Sequence, residues 1–157
     1  MTAMTPITFF VPGNPKDLKR HRSYTTRAGI HVNVDPNRDD KLDFLGKAMQ
    51  YRPEEPTRDP VCLHLTCVFP RPKNHYRTGR NAHLLKEPAP YWYNSTPDAD
   101  NILKFVGDAL NGIFWKDDRQ VIPTGVYRLY GPTPGIKISL YEPTSFDVQD
   151  AEMSLES

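Results

Sequence analysis

Apolar and polar positions along the 157-residue chain switch between a two-residue and a 3.6-residue period, and each period names an element. Ile7-Thr-Phe-Phe-Val11 is a short β-rich run closed by Pro12-Gly13 and reads as a first strand. The stretch from Lys16 to Arg27 is basic and has no apolar period, which predicts a loop ordered by something else. Arg38 to Arg52 suits a short amphipathic helix with Leu42, Leu45, Ala48 and Met49 inward and Asp39 or Asp40 at its cap. Pro53 and Pro56 interrupt the chain just beyond it. Val61 to Phe69 is rich in β-branched and aromatic types and predicts a strand, and Arg71 to Thr96 predicts a long surface loop. Asp98 to Gly112 is the strongest helix signal, with Ile102, Phe105, Val106, Ala109 and Leu110 on one face and Gly112 to end it. Gln120 to Tyr130 and Gly135 to Tyr141 predict two strands joined by the turn Gly131-Pro-Thr-Pro134. This order predicts an α+β fold: a single compact domain over residues 1–141, with a mixed or antiparallel sheet packed with two main helices. Residues 142–157 read as an acidic, poorly ordered tail.

Charge changes this picture more than bulk composition does. The formal net charge is +1, yet the sixteen residues from Glu142 carry five acids and no Lys or Arg. Residues 1–141 therefore hold 20 basic and 14 acidic groups, a formal +6 that permits a polyanionic partner. Sixteen prolines favour long irregular connections. No run approaches the ~18–20 apolar residues of a membrane span, and the first fifteen residues lack the basic start and apolar block of a signal peptide. Cys62 and Cys67 share one strand at a spacing that is neither a redox nor a zinc pattern, so a reduced, cytoplasmic protein is expected.

The candidate chemistry lies in Asp98-Ala-Asp-Asn-Ile-Leu-Lys-Phe-Val-Gly-Asp-Ala-Leu-Asn-Gly-Ile-Phe-Trp-Lys-Asp-Asp-Arg-Gln-Val121. On a helical wheel Asp100, Lys104, Asp108 and Asn111 fall within an arc of about 80°, largely opposite the apolar face. Asp98 sits at the helix start, and a strand laid beside the helix would return Asp117 or Asp118 toward it. Clustered carboxylates repel unless they take up protons or a cation. An all-oxygen set of this kind suits Mg²⁺, with Mn²⁺ as a substitute, held through carboxylates, waters and substrate phosphate. Lys104, one turn beyond Asp100, can meet a scissile phosphate, a departing oxygen or an attacking water. The bland alternative is a helix start favoured by its dipole, an ordinary i,i+4 pair and an acidic turn.

The same residues resemble the signature of the RusA-type Holliday-junction resolvases, endonucleases of bacteria, prophages and phages. The resemblance rests on Asp98-x-Asp100-Asn101, Lys104, Asp108, and the pair Asp117-Asp118 followed by Gln120-Val121. It extends to Pro12-Gly-Asn-Pro-Lys16 with Lys19-Arg20, and to Phe69-Pro-Arg-Pro-Lys73, covering roughly residues 7–141. It implies metal-binding roles for Asp98, Asp100 and Asp118, an essential Lys104, and supporting roles for Asn101, Asp108 and Asp117. It further implies a homodimer making paired symmetrical nicks in four-way DNA junctions, leaving 5′-phosphate and 3′-hydroxyl ends. Lys16, Lys19, Arg20, Arg22, Arg27, Arg71 and Lys73 are the candidate DNA contacts, with Arg77 and Arg80 less favoured. Tyr91-Trp-Tyr93 suits either stacking on unpaired bases or packing of its own loop. The 74–97 loop is longer than in the compact bacterial form, and the acidic tail is not part of the pattern.

Overall fold

The computed structural model describes residues 4–157. Four strands, β1 (Ile7–Pro12), β4 (Val61–Phe69), β5 (Val121–Tyr130) and β6 (Gly135–Tyr141), form one sheet in the order β1-β6-β4-β5. β6 is antiparallel to both β1 and β4, whereas β4 and β5 run parallel, so the sheet is mixed. A parallel pair needs a crossover. Here the crossover is the 70–98 loop followed by helix α2 (Ala99–Leu110), which thereby lies against the sheet.

One face of the sheet carries the core. Phe9, Val11, Leu63, Leu65, Cys67, Ile136, Ile138 and Leu140 alternate inward and meet Ile102, Phe105, Val106, Ala109 and Leu110 of α2, all five of them buried. Helix α1 (Arg38–Ala48) packs beside α2. Its inward residues differ in part from the sequence expectation: Ala48 is buried as expected, but Leu42 is 54% exposed and Phe44 is buried instead. The larger aromatic wins the core because its ring meets Phe105 edge-on at 5.7 Å. The cap position belongs to Asn37, with Asp39 and Asp40 in the first turn. A 3₁₀ turn, Met49–Tyr51, comes next and stacks Tyr51 on Phe9.

Two segments gain structure that periodicity did not reveal. A two-stranded antiparallel ribbon, β2 (Arg22–Thr25) and β3 (His31–Val34), starts within the basic stretch and runs beyond it, apart from the main sheet. It has no buried side chain, so no apolar period announced it. Over the acidic tail the chain forms helix α3 (Ser145–Glu156), in which no residue is buried. Its start is organised locally: the Asp147 carboxylate accepts the Thr144 N–H at 2.6 Å, and the Thr144 hydroxyl accepts the Asp147 N–H at 3.4 Å.

The long loop closes on the sheet. Tyr93 N–H donates to the Arg128 carbonyl and Tyr130 N–H to the Tyr91 carbonyl, which covers part of the β5 edge. The Tyr93 ring stacks on Phe69 at 3.6 Å, while Tyr91 and Trp92 stay exposed. Cys62 and Cys67 are buried and free. Burial pushes the Cys67 thiol up to about 12, which leaves it protonated and inert. No helix of the described residues is long and apolar enough to cross a membrane.

Candidate active site

Helix α2 and the turn before β5 position the chemistry-bearing residues. The apolar face of α2 fixes its rotation, so Asp100, Lys104, Asp108 and Asn111 all face solvent. Asp98 is the N-cap: its backbone is extended and its Oδ1 accepts the Asn101 N–H at 2.9 Å. Asp100 Oδ2 lies 3.0 Å from Lys104 Nζ across one turn. Gly112, at φ +80°, reverses the chain after α2, a conformation that only glycine adopts freely.

The next residues lock the turn onto the core. Phe114 and Trp115 are fully buried, and Thr57 brackets Trp115 through Lys116 N–H to Thr57 O and Thr57 N–H to Phe114 O. The buried indole then reaches out: Trp115 Nε1 donates to Asp118 Oδ1 at 3.2 Å. Asp117 and Asp118 have different surroundings. The Asp117 carboxylate accepts the Arg119 N–H and the Arg119 guanidinium at 2.9–3.1 Å, which holds its carboxyl below the usual carboxylate value. The Gln120 amide completes this turn, accepting the Asp117 N–H at 2.7 Å and donating to the Thr57 and Asp59 carbonyls at 2.9 Å. Asp117 is thus engaged in the turn, while Asp118 faces the helix.

Asp118 lines a solvent-open cavity of about 250 Å³ together with Leu103, Lys104, Gly107 and Asp108 of α2, and Leu63, Val121 and Pro123 of the sheet. Lys104, Asp108 and Asp118 are therefore brought to one place. Asp98 and Asp100 sit further up the helix, about 9 Å and 6 Å before Lys104 along the axis at ~1.5 Å per residue. No three Asp, Glu, His or Cys side chains among the described residues converge as a ready metal cage. The donor set itself fits a hard divalent cation: it is carboxylate only and exposed. Mg²⁺ in such sites takes one or two carboxylates and completes its shell with waters and substrate phosphate, so a complete protein cage is not required.

One contributor escaped the sequence reading. Lys41 of α1, only 18% exposed, places its Nζ 3.4 Å from Asp108 Oδ2 and 3.3 Å from Asp35 Oδ2. It joins the two helices beside the cavity, and only the packing of α1 on α2 discloses it. Asp35 accepts the Asn37 backbone N–H at 2.9 Å, and this bond chiefly holds its carboxyl below the ordinary value, with the Lys41 ammonium adding to it. A depressed folded-state pKa contributes stability above the ordinary carboxylate range and loses it as pH falls through the lowered value. The melting temperature is expected to drop on acidification below about pH 4, and Asp35→Asn is expected to shrink that drop. Equal drops in both proteins, tracked by circular dichroism at pH 6 and pH 3, would show that Asp35 carries none of it.

The candidate DNA contacts divide in two. Lys16, Lys19, Arg20, Arg22, Arg27 and Lys73 are exposed or half-exposed, with Lys16 Nζ 4.0 Å from Asp40. Arg71 also has partners within its own loop and sheet: its Nη1 donates to the Pro90 carbonyl at 2.7 Å, and its guanidinium lies over the Tyr130 ring.

The chain is 31% identical over 144 residues to the uncharacterized protein YqaN of Bacillus subtilis (strain 168), covering 88% of this chain and 98% of that protein. The family model described as endodeoxyribonuclease RusA matches residues 12–141, from the end of β1 to the end of β6. That span includes α2, the cavity and the turn that delivers Asp118, and the chain belongs to the RusA family of endodeoxyribonucleases.

Proposed function

We propose that this protein is a Mg²⁺-dependent endodeoxyribonuclease that resolves four-way DNA junctions as a homodimer, with Asp98, Asp100 and Asp118 as the metal-binding residues. The observation that carries this reading is the meeting of Lys104 from α2 and Asp118 from the β5 turn at one solvent-open cavity, with two further carboxylates at the start of the same helix. When bound there, Mg²⁺ supplies neutralisation of phosphate charge and a water acidic enough to attack near neutral pH.

The chain's own residues do the rest. Trp115 holds the Asp118 carboxylate by one oxygen at the cavity. The Lys104 ammonium is exposed and pairs with the exposed Asp100 carboxylate, so a phosphate oxygen can compete for it at little cost. As water adds to phosphorus and the P–O3′ bond breaks, Lys104 stabilises the charge that develops on phosphate or on the leaving oxygen. The products are a 5′-phosphate and a 3′-hydroxyl. Asp117, held by Arg119 and Gln120, sets the turn without entering the reaction. Two-fold symmetry matches a four-way junction, because a C₂ dimer offers one site to each of two opposing strands.

Cleavage of four-way, three-way, flap and linear DNAs across a Mg²⁺ titration tests the reading. Paired, symmetrical nicks confined to four-way DNA are expected, with a dimer in sedimentation. Equal cutting of flaps would replace it with a broader branched-DNA nuclease, and tight junction binding with no cutting under any divalent ion would remove the enzyme altogether.

A further inference from the structure

The ribbon β2–β3 draws no support from the hydrophobic core. None of its residues belongs to the core cluster, and its two strands pack chiefly on each other. A lone two-stranded hairpin is marginal in water, so both its rigidity and its purpose need a physical cause.

Rigidity comes from the two ends. At the tip, Thr26 N–H donates to the Ile30 carbonyl, Gly29 N–H to the Thr26 carbonyl, and Ile30 N–H to the Thr26 hydroxyl. Gly29 takes φ +79° to close this turn. Thr25 Oγ1 and His31 Nδ1 meet at 2.9 Å across the strands. At the root, the buried Asn37 side chain clamps the backbone of Lys19 twice, accepting its N–H at 2.7 Å and donating to its carbonyl at 2.8 Å. Asn37 in turn binds Asp35, which binds Lys41, which binds Asp108 on the cavity. The ribbon root is thus tied by named bonds to the helix that carries Lys104.

The surface of the ribbon is unusual in two independent ways. Residues 18–34 contain Lys19, Arg20, Arg22 and Arg27 and no acid, which fits a polyanion. Yet the same small element exposes Tyr24 at 56%, Ile30 at 62% and Val34 at 40%. The register places Arg22, Tyr24, Val32 and Val34 on one side and Ser23, Thr25, His31 and Asn33 on the other. Phosphate contact alone has no use for the aromatic and aliphatic side. Base faces do, and a continuous duplex keeps those faces stacked inside. They become available where strands exchange partners and stacking is interrupted. A two-stranded ribbon is also narrow enough for a groove about 12 Å wide.

From these features, and resting on the branched-DNA reading above, we infer that the β2–β3 ribbon is a wedge for the branch point of DNA, its Tyr24 side together with Ile30 at the tip covering exposed base faces and its arginines holding the flanking phosphates. The root clamp then fixes the distance from branch point to cavity, which makes the ribbon a device for choosing where the strand is cut.

The test uses the full-length protein with the variants Tyr24→Ala and Ile30→Ser, on a four-way junction carrying 2-aminopurine at its centre and on linear duplex of equal length. Both side chains lie outside the core, so unchanged melting curves are expected. The junction-to-duplex affinity ratio should fall about tenfold, the loss of one stacked base, with duplex affinity unchanged. The fluorescence change of the central 2-aminopurine seen with the unaltered protein should disappear. Three results would overturn the wedge while leaving the nuclease reading intact: an unaltered ratio, an equal loss on duplex and junction, or conversion of a dimer to a monomer in sedimentation, which would make the ribbon a subunit contact. Failure of the unaltered protein to prefer the junction at all would instead remove the branched-DNA reading on which the wedge stands.

Discussion

Asp100→Asn is expected to abolish metal-dependent cleavage while leaving the protein folded and able to bind branched DNA. Asparagine keeps the shape of the side chain and one oxygen but loses the charge that a divalent cation requires. Partners outside the direct ligands of a metal are worth about 10–100-fold in activity, so a direct ligand should cost at least about 100-fold. The fold should barely notice. The Asp100–Lys104 pair is exposed on both sides, and such pairs contribute little. Single-turnover cleavage beside a binding isotherm separates these effects. A rate close to that of the unaltered protein would take Asp100 out of the site.

Trp115→Ala is expected to have the largest effect on stability. The indole is fully buried and belongs to the hydrophobic core. Removing such a side chain leaves a cavity that costs about 3–5 kcal/mol, a large share of the ~5–15 kcal/mol that holds a typical domain together. Urea denaturation should show the loss as an earlier midpoint. Trp115→Phe divides the residue's two jobs. It keeps most of the volume but removes the N–H that holds Asp118, so cleavage should suffer more than stability. If the phenylalanine variant cuts like the unaltered protein, the indole does not orient Asp118.

How much the sequence disclosed depends on where the free energy lies. Helix α2 was legible because five apolar residues share one face and all five are buried. β4 and β6 were legible for the same reason, since the core selects their inward residues. The α+β class came from element order, but parallel pairing of β4 with β5 did not, because register and direction are properties of the crossover rather than of either strand. Helix α1 has few apolar residues, so its facing was settled by the Phe44–Phe105 contact and not by periodicity. The ribbon and α3 bury nothing, and a hydrophobic pattern cannot announce an element without a hydrophobic face. In the site, the residue types and spacings of α2 were visible in advance. The Trp115 indole, the Lys41 bridge and the different surroundings of Asp117 and Asp118 arise from side-chain contacts, and only the folded chain shows them.

The pairing of β1 with β6 sets Ile7 opposite Leu140, so the edge strand made first by the ribosome finds its neighbour only when nearly the whole domain has emerged. Contacts this far apart in sequence form late. During synthesis β4, a central strand, lacks both of the strands that will flank it, and α2 has no finished sheet to rest on. An enzyme that cuts DNA is hazardous in a partial form. The sheet is complete only once β6 has emerged, and a translation product cut short before Gly135 carries the acidic signature of a nuclease without the strand that joins β1 to β4.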